Sequence, residues 1–400
     1  MALALGVALA APPAASGQVR TLKAVAVAGK RYVALKDLAA MYGLPLTMPG
    51  GKALLIRGQY TSLQFTADGR EAMLNGSKVW LHVPVIKVRG NWSISDADAQ
   101  YVVDPLVRPS AYLGARGART VVLDAGHGGK DPGTSSRTGY LEKDLVLDIA
   151  LRTRAHLAAA GVRVVLTRDG DRFWELEDRP YLAARGAGDV FVSLHLNAAA
   201  TRTVQGIETF VTAAENHPPT AGTGTGKFPA VPNNQFNHSN HVLGNQLQRA
   251  LVGITRAEDR GLKHARFVVL RNAAMPAALV ECGFLSNAQE AQKLATPSYR
   301  ESVALGIAQS ASGPAVVTAL GTVAARLRAQ DTAGAAAALA EPVFEPGGEQ
   351  TLERLGDLGP LPAAEQATAA LAREVRRLDL DGGWTGSGNW WQTGAPGSIT

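Results

Sequence analysis

An alternation between residues 118 and 311 limits what this chain can fold into more than any other feature. Short, continuously apolar runs ("TVVLDAG", "VRVVLT", "DVFVSLHLNA", "GIETFVT", "RFVVLR", "AALVECGF") are separated by stretches with helical spacing. In "EKDLVLDIALRTRAHLAAAG", Val146, Ile149, Ala150, Thr153 and Leu157 fall on one face, and Gly161 closes the helix. "ELEDRPYLAARG" and "SNHVLGNQLQRALVGI" repeat the pattern, and a last helix runs through Tyr299 to Ala311. Strands apolar on both faces must be covered on both. The predicted fold is α/β, a mostly parallel sheet covered by helices on both faces. In such sheets functional groups gather at the carboxyl ends of the strands.

Four side chains stand at such places. His127 follows the first strand in "VVLDAGHGGKDPGT", His195 ends "FVSLHLNA", Glu281 ends the apolar part of "ALVECGF", and Glu142 opens the helix after the first loop. Each alone has a bland reading. A histidine in an apolar strand is usually a satisfied core residue, and a glutamate at a helix start is usually a partner of the helix dipole. Together they match the needs of a catalytic zinc, which takes three His or carboxylate ligands and keeps one position for water. His127, Glu142 and His195 supply two imidazoles and a carboxylate, and water on such an ion has its pKa lowered to about 7. Glu281 is then left as the carboxylate that takes the proton and returns it to a leaving amine. Gly126, Gly128 and Gly129 let the backbone turn sharply at His127.

Ahead of this region, residues 20 to 108 read as a small β-rich accessory domain. Alternating runs such as "TSLQFTADG" and "EAMLNGSKVWLHVPVIKVRGNWSI" are punctuated by Asp68-Gly69 and Asn75-Gly76, which signal hairpins. "LKDLAAMYG" has helical spacing. The layout resembles the copper-amine-oxidase-like N-terminal domain often attached to cell-envelope enzymes. It implies no copper, because His82 is the only histidine in the segment.

Composition narrows the partners. The 400 residues carry 40 Lys+Arg against 34 Asp+Glu, a net charge of +6, which favours anionic polymers, among them nucleic acid, membrane surfaces and cell-wall glycans. No basic run with interleaved aromatics is present, which argues against nucleic acid. The single Cys282 excludes an internal disulfide and a sulfur-ligated zinc. The start, "MALALGVALAAPPAASGQV", looks like a signal peptide over residues 1–17, although it lacks the usual positive charges. Its apolar core is shorter than the roughly 20 residues a membrane span takes. The expectation is export, to the periplasm or beyond, with no membrane span.

The pieces "LDAGHGGKDPGT", "EKDLVLDIALR", "LTRDGD", "DVFVSLHLNA", "GIETFV" and "RGLKHARFVVLRNAAMPAALVECGFLSN", in this order, are similar to the zinc-dependent N-acetylmuramoyl-L-alanine amidases of the third amidase type. The resemblance spans residues 118 to 312. It implies that His127, Glu142 and His195 hold one zinc per chain and that Glu281 is the catalytic carboxylate. It also implies cleavage of the amide joining the lactyl group of N-acetylmuramic acid to L-alanine of the stem peptide. Peptidoglycan is then the partner, with an envelope activator protein as a candidate second one. Two other readings use the same residues: a zinc peptidase acting on another bond, and a non-catalytic cell-wall-binding protein. The latter requires a lost ligand or base, and none is lost.

Two departures stand out. Family members commonly carry Ala-Asn where this chain has Arg185-Gly186. The segment 213–241 is long and rich in Gly, Thr, Pro and Asn, as expected of a loop that rims or covers the substrate groove. His217, His238 and His241 fall in or beside it. They read as solvated loop histidines, with His238 and His241 as an alternative second metal pair. Residues 313–400 read as an Ala-rich segment followed by a disordered tail bearing Trp384, Trp390 and Trp391.

Overall fold

β1 (Ala24–Val27) and β2 (Lys30–Ala34) form a hairpin that leads into α1 (Leu35–Met41), whose Leu35, Leu38 and Ala39 are buried. An antiparallel meander follows: β3 (Leu46–Gly50), β4 (Ala53–Arg57), β5 (Ser62–Thr66), β6 (Glu71–Leu74) and β7 (Ser77–Trp80). Buried and exposed residues alternate along β5, the pattern of a strand with one dry face. Asn75-Gly76 joins β6 to β7 with both residues at positive φ, +51° and +79°, which a two-residue hairpin turn demands. β8 (Ile86–Val88) and β9 (Asn91–Ser95) join β2 and β1 in a four-stranded sheet, and α2 (Asp104–Val107) leads onward. This computed structural model describes residues 22–58, 61–112, 118–222 and 226–311. The expected leader and the segment after 312 lie outside the described residues.

The second part of the chain alternates as read. It comprises β10 (Thr120–Ala125), α3 (Glu142–Ala159), β11 (Arg163–Leu166), α4 (Asp178–Arg185), β12 (Val190–Asn197), β13 (Ile207–Thr212), α5 (Asn237–Thr255), β14 (Asp259–Ala265), α6 (Val268–Arg271), β15 (Ala277–Phe284) and α7 (Ala288–Ala295). A last helix, α8, covers residues 297–311. α3 buries the five residues that periodicity placed on its inner face. One expected strand is not a strand. In "RFVVLR" the ladder stops at Ala265, and Val268–Arg271 forms a helical turn that packs Val269 and Leu270 against the sheet. An apolar run this short has no period that separates strand from helix.

Strands β11, β10, β12 and β15 run parallel, whereas β13 runs antiparallel to β15 and parallel to β14. One core face joins Leu123, Val192 and Val280 to Ile149, Leu247 and Ile307 on α3, α5 and α8. The other joins Val122, Phe191 and Leu279 to Ala183 on α4 and Leu270 on α6. Both faces are therefore dry, and cutting the fully buried Phe191 to alanine costs about 3–5 kcal/mol. β14 then pairs with β7 through Leu262 and Val79. A single eleven-stranded sheet, β11-β10-β12-β15-β13-β14-β7-β6-β5-β4-β3, thus runs through both parts of the chain.

Because β13 runs against β15, its carboxyl end lies at the sheet edge away from Glu281. The segment from residue 213, expected to rim the substrate groove, leaves from that far edge. Its described residues are tied to the N-terminal strands: Lys30 Nζ donates to the Asn216 carbonyl (2.7 Å) and Arg70 to that of Thr220 (3.2 Å). The segment also ends early, since α5 begins at Asn237.

Its histidines are not solvated. His217 and His241 are buried, as are His264 on β14 and His82 just after β7. His82 Nδ1 lies 2.7 Å from the buried Asp98, and its Nε2 accepts from the Ala214 amide. The rings of His82 and His264 stack at 3.7 Å, and His264 Nε2 is 2.9 Å from His241 Nε2. His238 turns elsewhere and stacks on Tyr112 at 4.4 Å, so it forms no pair with His241. These rings form a seam between the N-terminal strands and the second part of the chain.

Candidate metal centre

Strand register assembles the site. His195 on β12 and Glu281 on β15 are register partners, and Glu208 on β13 is the partner of Glu281 on its other side. Partners in register present their side chains on the same face. His127 comes two residues after β10, at φ +60°, a left-handed conformation that costs a non-glycine residue about 1–2 kcal/mol. Glu142 is the first residue of α3. His127 Nε2 and His195 Nδ1 each lie 3.0 Å from Glu142 Oε1. One donor atom from each of the three residues falls within 4.8 Å of the others.

Hydrogen bonding tests whether these residues suit a metal. His127 Nδ1 is 2.7 Å from Asp131 Oδ2, a carboxylate that fixes the ring proton on Nδ1. In the neutral ring, Nε2 is then a bare lone pair facing the Glu142 carboxylate, acceptor against acceptor. Such a contact needs a positive charge between the two: a second ring proton in the metal-free chain, whose place a bound metal would take. Protonation trends show that proton filling the gap in the metal-free chain. Burial pushes the His127 pKa down, but hydrogen bonds to Glu142 and Asp131 outweigh it and leave the pKa raised. Burial pushes Glu142 up, yet bonds from His127 and His195 hold its carboxyl far below the usual range. The second Glu142 oxygen accepts from the Thr134 amide (2.8 Å), and Oε1 also accepts from Leu196 N–H (3.0 Å).

Space is reserved around this group. A Cβ on Gly126 would lie 2.3 Å from the His195 ring, and one on Gly133 would lie 2.5 Å from Glu142 Oε2. Two imidazoles and one carboxylate, held and oriented in this way, fit a zinc ion.

Glu281 stands outside the donor group. Its Oε2 is buried with no hydrogen-bond partner. Burial first, then the nearby carboxylates of Glu142 and Glu208, raise its pKa well above the usual range. Glu208 itself accepts from Lys263, Arg260 Nε (2.8 Å) and Asn197 Nδ2 (2.8 Å). The arrangement leaves one carboxyl group free to exchange a proton beside the donor set.

The four side chains that the sequence singles out are brought together at this edge, but the sequence gives no role to their supports. Asp131 was visible in the glycine-rich loop only as a polar residue. Asp124 is fully buried, accepting from Thr167, Ser193 and Arg179, and Arg179 also donates to the carbonyls of Ala125 (3.0 Å) and His127 (2.8 Å). "EDRP" contains this arginine, but nothing in the pattern distinguishes a buried arginine from a surface one. The Arg185-Gly186 departure falls where α4 ends, leading into the amino end of β12, at the edge away from the site.

An α/β sheet with a His, Glu and His group at its edge that could hold a metal ion, and a carboxyl beside it, suits hydrolytic chemistry. Residues 121–312 match the family model described as N-acetylmuramoyl-L-alanine amidase. The amidase LytC of Bacillus subtilis is 34% identical over 188 residues, which cover 47% of this chain and 34% of that protein. The amidase AmiA of Salmonella typhimurium is 31% identical over 217 residues, covering 48% of this chain and 74% of that protein. A crystal structure of an N-acetylmuramoyl-L-alanine amidase from Clostridium difficile is 36% identical, with a TM-score of 0.40, and covers 48% of this chain and 94% of that one. The chain belongs to the N-acetylmuramoyl-L-alanine amidase family, and its aligned part spans about a third of LytC and three quarters of AmiA.

Proposed function

We propose that this protein is a zinc-dependent peptidoglycan amidase acting outside the cytoplasm. It hydrolyses the amide between the lactyl group of N-acetylmuramic acid and L-alanine of the stem peptide. His127, Glu142 and His195 would hold one zinc per chain. The observation that carries this reading is the convergence of one donor atom each from His127, Glu142 and His195 to within 4.8 Å, with Asp131 holding His127 Nδ1 so that Nε2 faces the group. Zinc bound there supplies a Lewis acid that polarises a carbonyl and acidifies water. The chain's own residues do the rest. Asp131 fixes the tautomer and orientation of His127, and backbone amides of Thr134 and Leu196 fix the Glu142 carboxylate. Glu281, with one buried unpartnered oxygen, takes a proton from the attacking water and delivers it to the leaving amine of L-alanine.

Among the described residues no helix is long and apolar enough to cross a membrane. The N-terminal strands support the site at a distance: β7 covers the β14 edge, which would otherwise present unpaired backbone groups.

Digesting purified peptidoglycan with the zinc-loaded chain and identifying the products by mass spectrometry tests the reading. Intact stem peptides with a free L-alanine amine are expected. Cleavage between two amino acids of the stem would replace the amidase reading with a peptidase one.

A further inference from the structure

Arg168 follows β11 in "LTRDGD" and is almost completely buried. A buried guanidinium normally pairs with a carboxylate, because an unpaired charge out of water is costly. Arg168 instead sends all four of its hydrogen bonds to backbone carbonyls. Nε donates to Ala125 (2.8 Å), Nη1 to Gly170 (3.1 Å), and Nη2 to both Gly126 and Lys143 (2.8 Å each). Burial and the neighbouring Arg179 both push its pKa down.

The positions of those carbonyls explain the cost. Gly126 directly precedes His127, and Lys143 directly follows Glu142. One nitrogen of Arg168 therefore ties the loop that carries His127 to the first turn of α3 that carries Glu142, the two ends of one connection. The loop packs closely here: a Cβ on Gly128 would lie 2.2 Å from the Arg172 carbonyl and 3.0 Å from Arg168 Cδ and Nε. Arg179 does not duplicate the role, since its bonds go to Asp124, Ala125, His127 and Trp174 and none reaches the Glu142 segment.

We propose that Arg168 is a positioning residue that prebuilds the metal site by clamping the His127 loop to the start of α3. The proposal rests on the zinc reading above. It makes the planar fork, not the charge, the essential property, because a lysine ammonium keeps the charge but lacks the fixed two-pronged geometry.

Zinc affinity, measured by chelator competition, separates this role from simple stabilisation. Arg168→Lys is expected to bind zinc about 10–100-fold more weakly, the usual effect of removing a group that orients a ligand. Leu251→Ala, in the core on α5, serves as the control: it should lower the melting temperature while zinc affinity stays at the wild-type value. Wild-type affinity in folded Arg168→Lys would overturn the clamp. A wild-type chain that binds no zinc would overturn the metal reading and the clamp with it.

Hydrogen exchange on the wild-type chain gives a readout that needs no variant. The amides of residues 126, 128, 129, 142 and 143 are all hydrogen-bonded. If Arg168 prebuilds the site, they exchange slowly without zinc and change little when zinc is added. Fast exchange in the metal-free chain, slowed only by zinc, would overturn the proposal.

Discussion

His195 and Glu281 are register partners on the adjacent parallel strands β12 and β15, so an imidazole of the donor set and a carboxyl with one unpartnered oxygen rise from one face of the sheet. Their separation into two roles makes a sharp prediction. Glu281→Gln is expected to retain zinc while turnover falls by about 10²–10⁴-fold, the span of a general acid/base. Measuring zinc content and single-turnover rate on the same preparation decides it. A parallel loss of zinc would make Glu281 a ligand, and near-normal turnover would remove it from the chemistry.

Asp131 is expected to act through His127. Asp131→Asn keeps the size of the side chain but lets the amide nitrogen face Nδ1, so the ring is no longer fixed with its lone pair towards Glu142. Zinc affinity should fall about 10–100-fold with little change in melting temperature. Unchanged affinity would show that the ring orientation is set by packing alone.

Gly126→Ala tests the reserved space. The added methyl would lie 2.3 Å from the His195 ring, so the ring must move. Loss of zinc retention is expected even though the backbone at this position has no positive φ. A crystal structure of the variant with His195 undisplaced would contradict the packing argument.

The buried histidine seam predicts acid sensitivity. Burial, followed by the neighbouring His82, pushes His217 down to about 4, and burial pushes His241 down to about 3. His264 is lowered well below its ordinary value by burial and by His82 and His241. Asp98, Arg70 and Lys30 are the charged groups facing these rings. In the unfolded chain the same imidazoles take up protons near pH 6.5. Between about pH 6.5 and pH 4 the unfolded state therefore binds more protons, and stability is lost as the pH falls. Each imidazole that stays neutral in the fold accounts for about 2 kcal/mol between pH 6.5 and 5. Urea midpoints should drop over that range, and His217→Gln should flatten the drop. An equally steep pH dependence in His217→Gln would rule out His217 as a contributor.

Much of the site was legible because it lies at strand ends that hydropathy alone can place. The apolar runs before His127, His195 and Glu281 and the inner face of α3 required no knowledge of partners. The direction of β13 was not legible, because "GIETFVT" reads the same whichever way the strand runs. That single reversal moved the segment after residue 213 to the far edge and brought its histidines against His82. Arg168 and Arg179 were also hidden, since most of their partners are backbone carbonyls 25 to 54 residues away in the chain and carry no sequence signal. The continuous sheet was missed for a similar reason: the Leu262–Val79 pairing joins two segments that each look complete alone.

The central claim is that His127, Glu142 and His195 form one zinc site, and metal content tests it most directly. Elemental analysis of the dialysed wild-type chain should find one zinc per chain, and the same treatment should leave His195→Ala with none. Stoichiometric zinc surviving in His195→Ala would contradict the account.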